Sequence, residues 1–272
     1  MTIRSITIIC IRIGEIVNGV KTVNQLYLTW IMNYKKKNYI LILIVILLLC
    51  PYLCLAKNGQ RRMNRYRINI GAYYLKKYAR TEDHIRDIHN CGIDFIVGID
   101  NDIKTLDLFH KYKIGAIVTG VLPSWGGIDG RYAGQLKRYN PINTYKSGIR
   151  KFKNHKAIWG IDIGDEPSAL DFSYYNEVFR LVKDSCPNQF PYLNLYPNYA
   201  SVARNTSAQT QNQLGTASYK DYIKQYCENI TSADYICYDF YVYSIAVPNM
   251  YNNLIIVSDA ALKYNKSMWV VL

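Results

Sequence analysis

The chain has 272 residues, a formal net charge of +13, and a composition that is 50% hydrophobic and 14% aromatic. Such a chain can bury a sizeable core and is not disordered. Sixteen glycines and eight prolines exclude collagen-like or linker-like sequence, and seven cysteines are too few for a disulfide scaffold.

The positive charge points to nucleic acid as a partner class only if it is concentrated on a binding face. Six basic residues and one acidic residue precede Lys57, which leaves 27 basic against 19 acidic, or +8, for the rest. In that remainder lysines alternate with carboxylates along helix-like stretches, as on a solvated face, and no RNP-like, zinc-finger or helix-turn-helix pattern stands out. The reading is therefore no nucleic-acid partner.

Lys35, Lys36 and Lys37 precede an apolar run from Tyr39 to Leu49, and a small residue, Ala56, closes the segment. A basic region, a short apolar region and a small residue describe a secretory signal. Met32, just before the lysines, fits a translation start. Residues 1–31 are then an upstream extension, 32–56 a signal peptide, and 57–272 one domain of a secreted, periplasmic or cell-surface protein. Two alternatives stay open. One is an uncleaved membrane anchor through residues 39–56, which is marginal in length for a span. The other is a lipid on Cys50 or Cys54. Any membrane contact is expected only through this segment.

Beyond it, strand and helix patterns alternate. Strands are expected at 67–75, 93–99, 114–122, 157–163, 190–196, 235–243 and 268–272, and helices at 81–90, 103–112, 144–154, 168–183, 219–229 and 250–264. Thr81 reads as an N-cap with Glu82 and Asp83 in the first turn, and Gly92 as a C-terminal stop. Cys186-Pro187 closes the longest helix. A longer loop with Pro123, Trp125, Gly126, Gly127 and Gly130 follows the third strand. Apolar strands separated by helices imply a parallel sheet covered by helices. Seven such units favour a (β/α)8 barrel, and no GxGxxG or GxxxxGK[ST] motif argues for a nucleotide-binding open sheet. The eighth unit is absent from the sequence, so the expectation is an α/β fold, an incomplete (β/α)8 TIM barrel of about seven strands and a fragment of a longer product.

In a barrel, chemistry sits at the carboxyl ends of the strands. The fourth strand ends Ile158-Trp159-Gly160-Ile161-Asp162-Ile163-Gly164-Asp165-Glu166-Pro167. Acidic residues before a proline that opens a helix are ordinary capping chemistry. Capping accounts for one carboxylate and less well for two adjacent ones after a long apolar strand.

The stretch IWGIDIGDEP resembles the fourth-strand signature of clan A glycoside hydrolases, the (β/α)8 retaining group that includes β-galactosidase-like and cellulase-like enzymes. There the strand typically ends Asn-Glu-Pro, with the glutamate as general acid/base. The resemblance implies that role for Glu166. It departs at Asp165, which stands where an asparagine normally contacts the sugar 2-hydroxyl. Aspartate accepts that hydrogen bond but cannot donate as an amide does, and it places a second negative charge beside Glu166, favouring the protonated form that a general acid needs. The resemblance puts the nucleophile at the end of the seventh strand, beyond Leu272. A retaining mechanism needs both carboxylates, so the chain is expected to be inactive or very weak as it stands. The resemblance implies a glycoside hydrolase-like protein acting on O-glycosidic bonds of a poly- or oligosaccharide; the alternative is a non-catalytic carbohydrate-binding barrel.

Sugar faces stack on aromatic rings, and candidates lie at strand ends: Tyr73 and Tyr74, Trp125, Tyr196 beside Asn194 and Asn198, and Tyr241 and Tyr243. Asp239 is a substitute carboxylate or a substrate ligand. Trp159, in mid-strand, is expected in the core, and Asp100 and Asp102 in a turn. The expected substrate-binding set is Asp165, Tyr73, Trp125, Tyr196, Asp239 and Tyr241. The four histidines have no HxH or HExxH arrangement, so no metal and no cofactor is expected, although a barrel with Asp165 and Glu166 as metal ligands is a third reading. Cys91, Cys186, Cys227 and Cys237 allow three disulfide pairings, with Cys237 expected as a buried thiol. Asn205, Asn229 and Asn265 open glycosylation sequons.

Overall fold

The computed structural model describes residues 8–11, 67–123, 125–126, 132–152, 154–200, 213–241 and 247–272. The strands are β1 (Ile8–Ile11), β2 (Ile70–Tyr73), β3 (Phe95–Ile99), β4 (Gly115–Val118), β5 (Trp125–Gly126), β6 (Ile158–Asp165), β7 (Phe190–Asn194), β8 (Tyr235–Asp239) and β9 (Ser267–Val271). Neighbours β2, β3, β4, β6 and β7 pair in parallel, as do β8 and β9. A parallel bridge between Leu195 and Tyr238 joins β7 to β8. The seven expected strands are therefore all present, consecutive and parallel, as in an incomplete (β/α)8 barrel.

The eighth place is taken by β1, which runs antiparallel to both β9 and β2. Its register with β9 carries Ile8 opposite Val271 and Ile11 opposite Met268. These four residues belong to the segment read from sequence as an upstream extension, and they supply the backbone pairing that β2 and β9 would otherwise present as open edges. Residues 32–56, where the signal or anchor is expected, lie outside the described residues. Among the described residues, no helix is long and apolar enough to cross a membrane.

The helices are α1 (Glu82–Asn90), α2 (Ile103–Lys111), α3 (Leu136–Tyr139), α4 (Ile142–Lys151), α5 (Phe172–Ser185), α6 (Tyr219–Asn229) and α7 (Val247–Lys263). The sequence signals hold locally. The Thr81 hydroxyl accepts from the His84 N–H, and Gly92 follows the C-cap with φ +80°, a left-handed conformation that glycine adopts without steric cost. Between sheet and helices, Ile85, Leu106, Phe109, Phe172, Tyr175, Val178, Tyr222, Ile223, Tyr226 and Val257 are fully buried.

The barrel interior is filled with aromatic rings. Trp269 packs on Tyr235 at 4.8 Å and meets Phe190 and Phe95 at 5.5 and 6.1 Å, and Phe95 meets Trp159 at 6.0 Å. Trp159 is half-buried against this core, as expected of a mid-strand tryptophan. Rings this large fit because neighbouring strands offer glycine. A Cβ on Gly71 would lie 2.5 Å from Phe95, and one on Gly115 would lie 2.2 Å from Trp159. Cys91 is an exposed free thiol, while Cys186, Cys227 and Cys237 are buried free thiols; none of the three pairings forms.

Candidate active site

β6 runs for eight residues and delivers Asp165 and Glu166 to the carboxyl end of the barrel. The next helix does not begin at Pro167, as the sequence suggested. A 3-10 turn at Ala169–Asp171 intervenes, and its N-cap is Ser168, whose hydroxyl accepts from the Leu170 N–H. Asp171, the acidic residue of that turn, accepts from the N–H groups of Gly134 and Leu136. Ser168 thus caps the turn, Asp165 and Glu166 lie before that cap, and Asp171 at the start of α5 makes no side-chain cap bond to that helix.

Glu166 has φ +46°, a left-handed backbone conformation for a residue with a side chain. Such a conformation costs about 1–3 kcal/mol and persists where the surroundings over-determine it. Here the Glu166 N–H donates to the Asn194 carbonyl at 2.8 Å, and the Tyr222 hydroxyl donates to the Pro167 carbonyl at 2.7 Å. The first bond fixes the peptide that enters the glutamate, and the second the peptide that follows Pro167.

Asn194, at the end of β7, is buried and central. Its Nδ2 donates to Asp165 Oδ1 at 3.0 Å, and its Oδ1 lies 3.5 Å from the Cys237 thiol. Asp165 opens to solvent within a cleft. Its surroundings desolvate the carboxyl and lift it above the usual carboxylate range, while the bond from Asn194 pulls the other way. Asp239, at the end of β8, is only 5% exposed. Burial first, and the nearby Asp165 charge second, push its carboxyl up to about 7, against hydrogen bonds to Asn194 and Tyr241. Tyr241 is held above its ordinary range by burial and by the charges of Asp239, Asp165 and Glu166.

Tyr73, at the end of β2, reaches across the barrel to the hydroxyl of Tyr192 on β7, and the Cys237 thiol lies 3.6 Å from the same hydroxyl. Tyr73 feels the fields of Asp165 and Asp239. Its hydroxyl is bonded to Tyr192 and its ring lies against Tyr74.

The other expected ligands are distributed differently. Trp125 pairs through its backbone with Gly164, and Gly126 with Asp165, so β5 lies at the edge of β6 beside the carboxylates, while Gly127 and Gly130 lie outside the described residues. Tyr196 is 2% exposed, with its ring packed against Tyr222 at 6.4 Å, so it lies in the core layer. The open ring in that region is Tyr199, 51% exposed and standing edge-on to Phe240 at 5.2 Å. Tyr243 lies outside the described residues. Asp100 pairs with Arg80 at 3.0 Å and Asp102 accepts from the Thr105 hydroxyl, so both have local roles, as expected. In the sequence Asn194 stands out only as a neighbour of Tyr196, and Tyr192 is not singled out, yet both bond the groups at this end of the barrel. Both point to the interior from β7, and the alternation of that strand was the available signal. Among the described residues, no group of three or more His, Cys, Asp or Glu is placed to hold a metal ion.

No protein-family profile matches the chain, and no curated protein sequence does. Solved structures similar to it include a β-mannanase from the blue mussel Mytilus edulis, at 14% identity over 70% of this chain and 68% of that one, with a TM-score of 0.39. An endo-1,4-β-mannanase from Eisenia fetida is similar at 13% identity over 69% and 72% of the two chains, with a TM-score of 0.42. A β-1,4-mannanase from the sea hare Aplysia kurodai is similar at 13% identity over 61% and 65%, with a TM-score of 0.36. The likeness is one of fold.

Proposed function

We propose that the carboxyl end of this barrel is a carbohydrate site built for O-glycoside hydrolysis, with Glu166 as general acid/base. The observation that carries the reading is Glu166 itself. It is held in a left-handed conformation at the end of β6, where its N–H bonds the Asn194 carbonyl, next to Asp165 and ahead of the turn that Ser168 caps.

In this reading a glycosidic oxygen takes a proton from Glu166 as the bond to the anomeric carbon breaks. Asp165 and Asp239 contact sugar hydroxyls, Tyr241 and Tyr73 offer phenol groups, Tyr199 offers an exposed ring, and Trp125 is a further substrate contact. A retaining reaction also needs a nucleophilic carboxylate about 5–5.5 Å from the acid. The resemblance to clan A puts it after β9, whose last residue is Val271. The described carboxyl end of the barrel is proposed to bind glycans.

The test is a panel of aryl glycosides with good and poor leaving groups, together with calorimetric titration of soluble polysaccharides. The chain, and the product of any reading frame continuing past Leu272, are each compared with Glu166→Gln. Where hydrolysis occurs, the substitution should slow the poor-leaving-group substrates by about 10²–10⁴-fold, the range for a positioned acid, and leave polysaccharide binding intact. Equal rates for parent and variant on those substrates remove Glu166 from the acid role. Absence of binding to every polysaccharide removes the carbohydrate reading.

A further inference from the structure

Asp239 presents an unusual problem of charge. Its carboxyl is 5% exposed, and its Oδ1 has no hydrogen-bond partner among the described residues. A buried, ionised carboxylate with an orphaned oxygen is costly unless a cation or several donors compensate it. The groups that act on it are Asp165 from β6, Asn194 from β7 and Tyr241 just after β8. Tyr73 on β2 and Tyr219 on α6 also face it. None of these is a lysine, arginine or histidine. Asn194 and Tyr241 offer it uncharged hydrogen bonds, and the Asn194 amide also donates through Nδ2 to Asp165.

Asp165 differs from Asp239 in the decisive respect. It is exposed at the end of β6 and accepts the Asn194 bond, which opposes the desolvation of its carboxyl, so it bears charge at lower cost than Asp239. Two carboxyl groups in one cleft with a single amide between them resolve their repulsion by ionising one and protonating the other.

We propose that Asp165 and Asp239 share a single proton that resides on Asp239, so that the cleft meets its ligand with one carboxyl donor and one carboxylate acceptor. This deepens the carbohydrate reading and rests on it for the identity of the ligand. A pair of adjacent hydroxyls on an uncharged sugar fits such a pair, since one hydroxyl accepts from Asp239 while its neighbour donates to Asp165. A uronic acid would add a further anion to a cleft whose named neighbours carry no positive charge.

Carboxyl-carbon NMR of the full chain, labelled at the aspartate Cγ, tests the proton directly. In the unmodified protein one aspartate resonance should titrate around pH 7 while Asp165 titrates earlier. Asp239→Asn should abolish the neutral transition, and Asp165→Asn, which removes the neighbouring charge, should lower its midpoint by about one pH unit or more. The proposal is overturned if every aspartate of the unmodified protein titrates in the ordinary acid range, a result that needs no variant to fold. It is also overturned if the neutral transition survives unchanged in Asp165→Asn. No glycan enters this measurement, so the shared proton and the hydrolase reading stand or fall separately.

Discussion

At the scale of single residues, the cleft is dominated by carboxyls whose environments differ. Burial of Asp239 makes the folded state hold a proton that the unfolded chain releases near the ordinary aspartate value. A raised folded pKa means that this group's contribution is fully present below the unfolded pKa, about 4, and is lost as pH climbs to about 7. Asp239→Asn cannot release a proton, so the stability of the variant relative to the parent should rise across that window by on the order of 4 kcal/mol and level off above it. Urea unfolding of both proteins at several pH values reads this difference directly, and parallel curves would mean that Asp239 titrates alike in both states. The carboxylates themselves were legible in the sequence, because a strand-end Asp-Glu-Pro announces its place in a barrel. Tyr196 was not. Its place two residues beyond β7 sends its ring to the layer that holds Tyr222, and no composition rule distinguishes that layer from the cleft. Asn194 carries no signature until Asp165 and Glu166 are seen to bond to it, one by side chain and the other by backbone.

At the scale of elements, periodicity gave the seven parallel strands and the six longer helices, because each buries an apolar face against the others. What escaped are pieces whose reason is tertiary. β5 is two residues long and exists because β4 stops at Val118 while β6 continues to Asp165, which leaves a free edge that Trp125 and Gly126 pair with. α3 is a single turn whose orphan N–H groups are met by Asp171, some 35 residues away. β1 owes its place to the two edges offered by β2 and β9. Caps, by contrast, are local. Ser218 opens α6 with its hydroxyl accepting from the Asp221 N–H at 3.1 Å and donating to the Asp221 carboxylate at 2.7 Å. Ser218→Ala removes both bonds and should cost about 1 kcal/mol, while Ser218→Thr, which keeps both the acceptor and the donor, should recover most of it. Chemical unfolding of the two variants decides; an alanine variant as stable as the parent would mean that α6 is held by its buried tyrosines alone.

At the scale of the whole molecule, the barrel must close around interior rings without a void or a clash. Interiors of this fold are usually layered with side chains from alternate strands. Here the layer is built by contrast of size, with a glycine on one strand admitting a ring from the next, so the positions are coupled across strands. The tightest case is Gly115 on β4, where a Cβ would stand 2.2 Å from the indole of Trp159 on β6. An indole is broad and rigid, and Trp159 is itself held against Phe95, so it cannot swing clear as a lysine tip would. Gly115→Ala should therefore destabilise the protein by about 1–3 kcal/mol, the range for overpacking a filled interior. The cause is testable apart from the size. If the clash with Trp159 is responsible, a prior Trp159→Leu substitution should remove most of the penalty, giving a coupling of at least about 1 kcal/mol in a double-mutant cycle. Additive costs would show that Gly115 is required for its own backbone, and that the fit of glycine to ring is not what packs this interior.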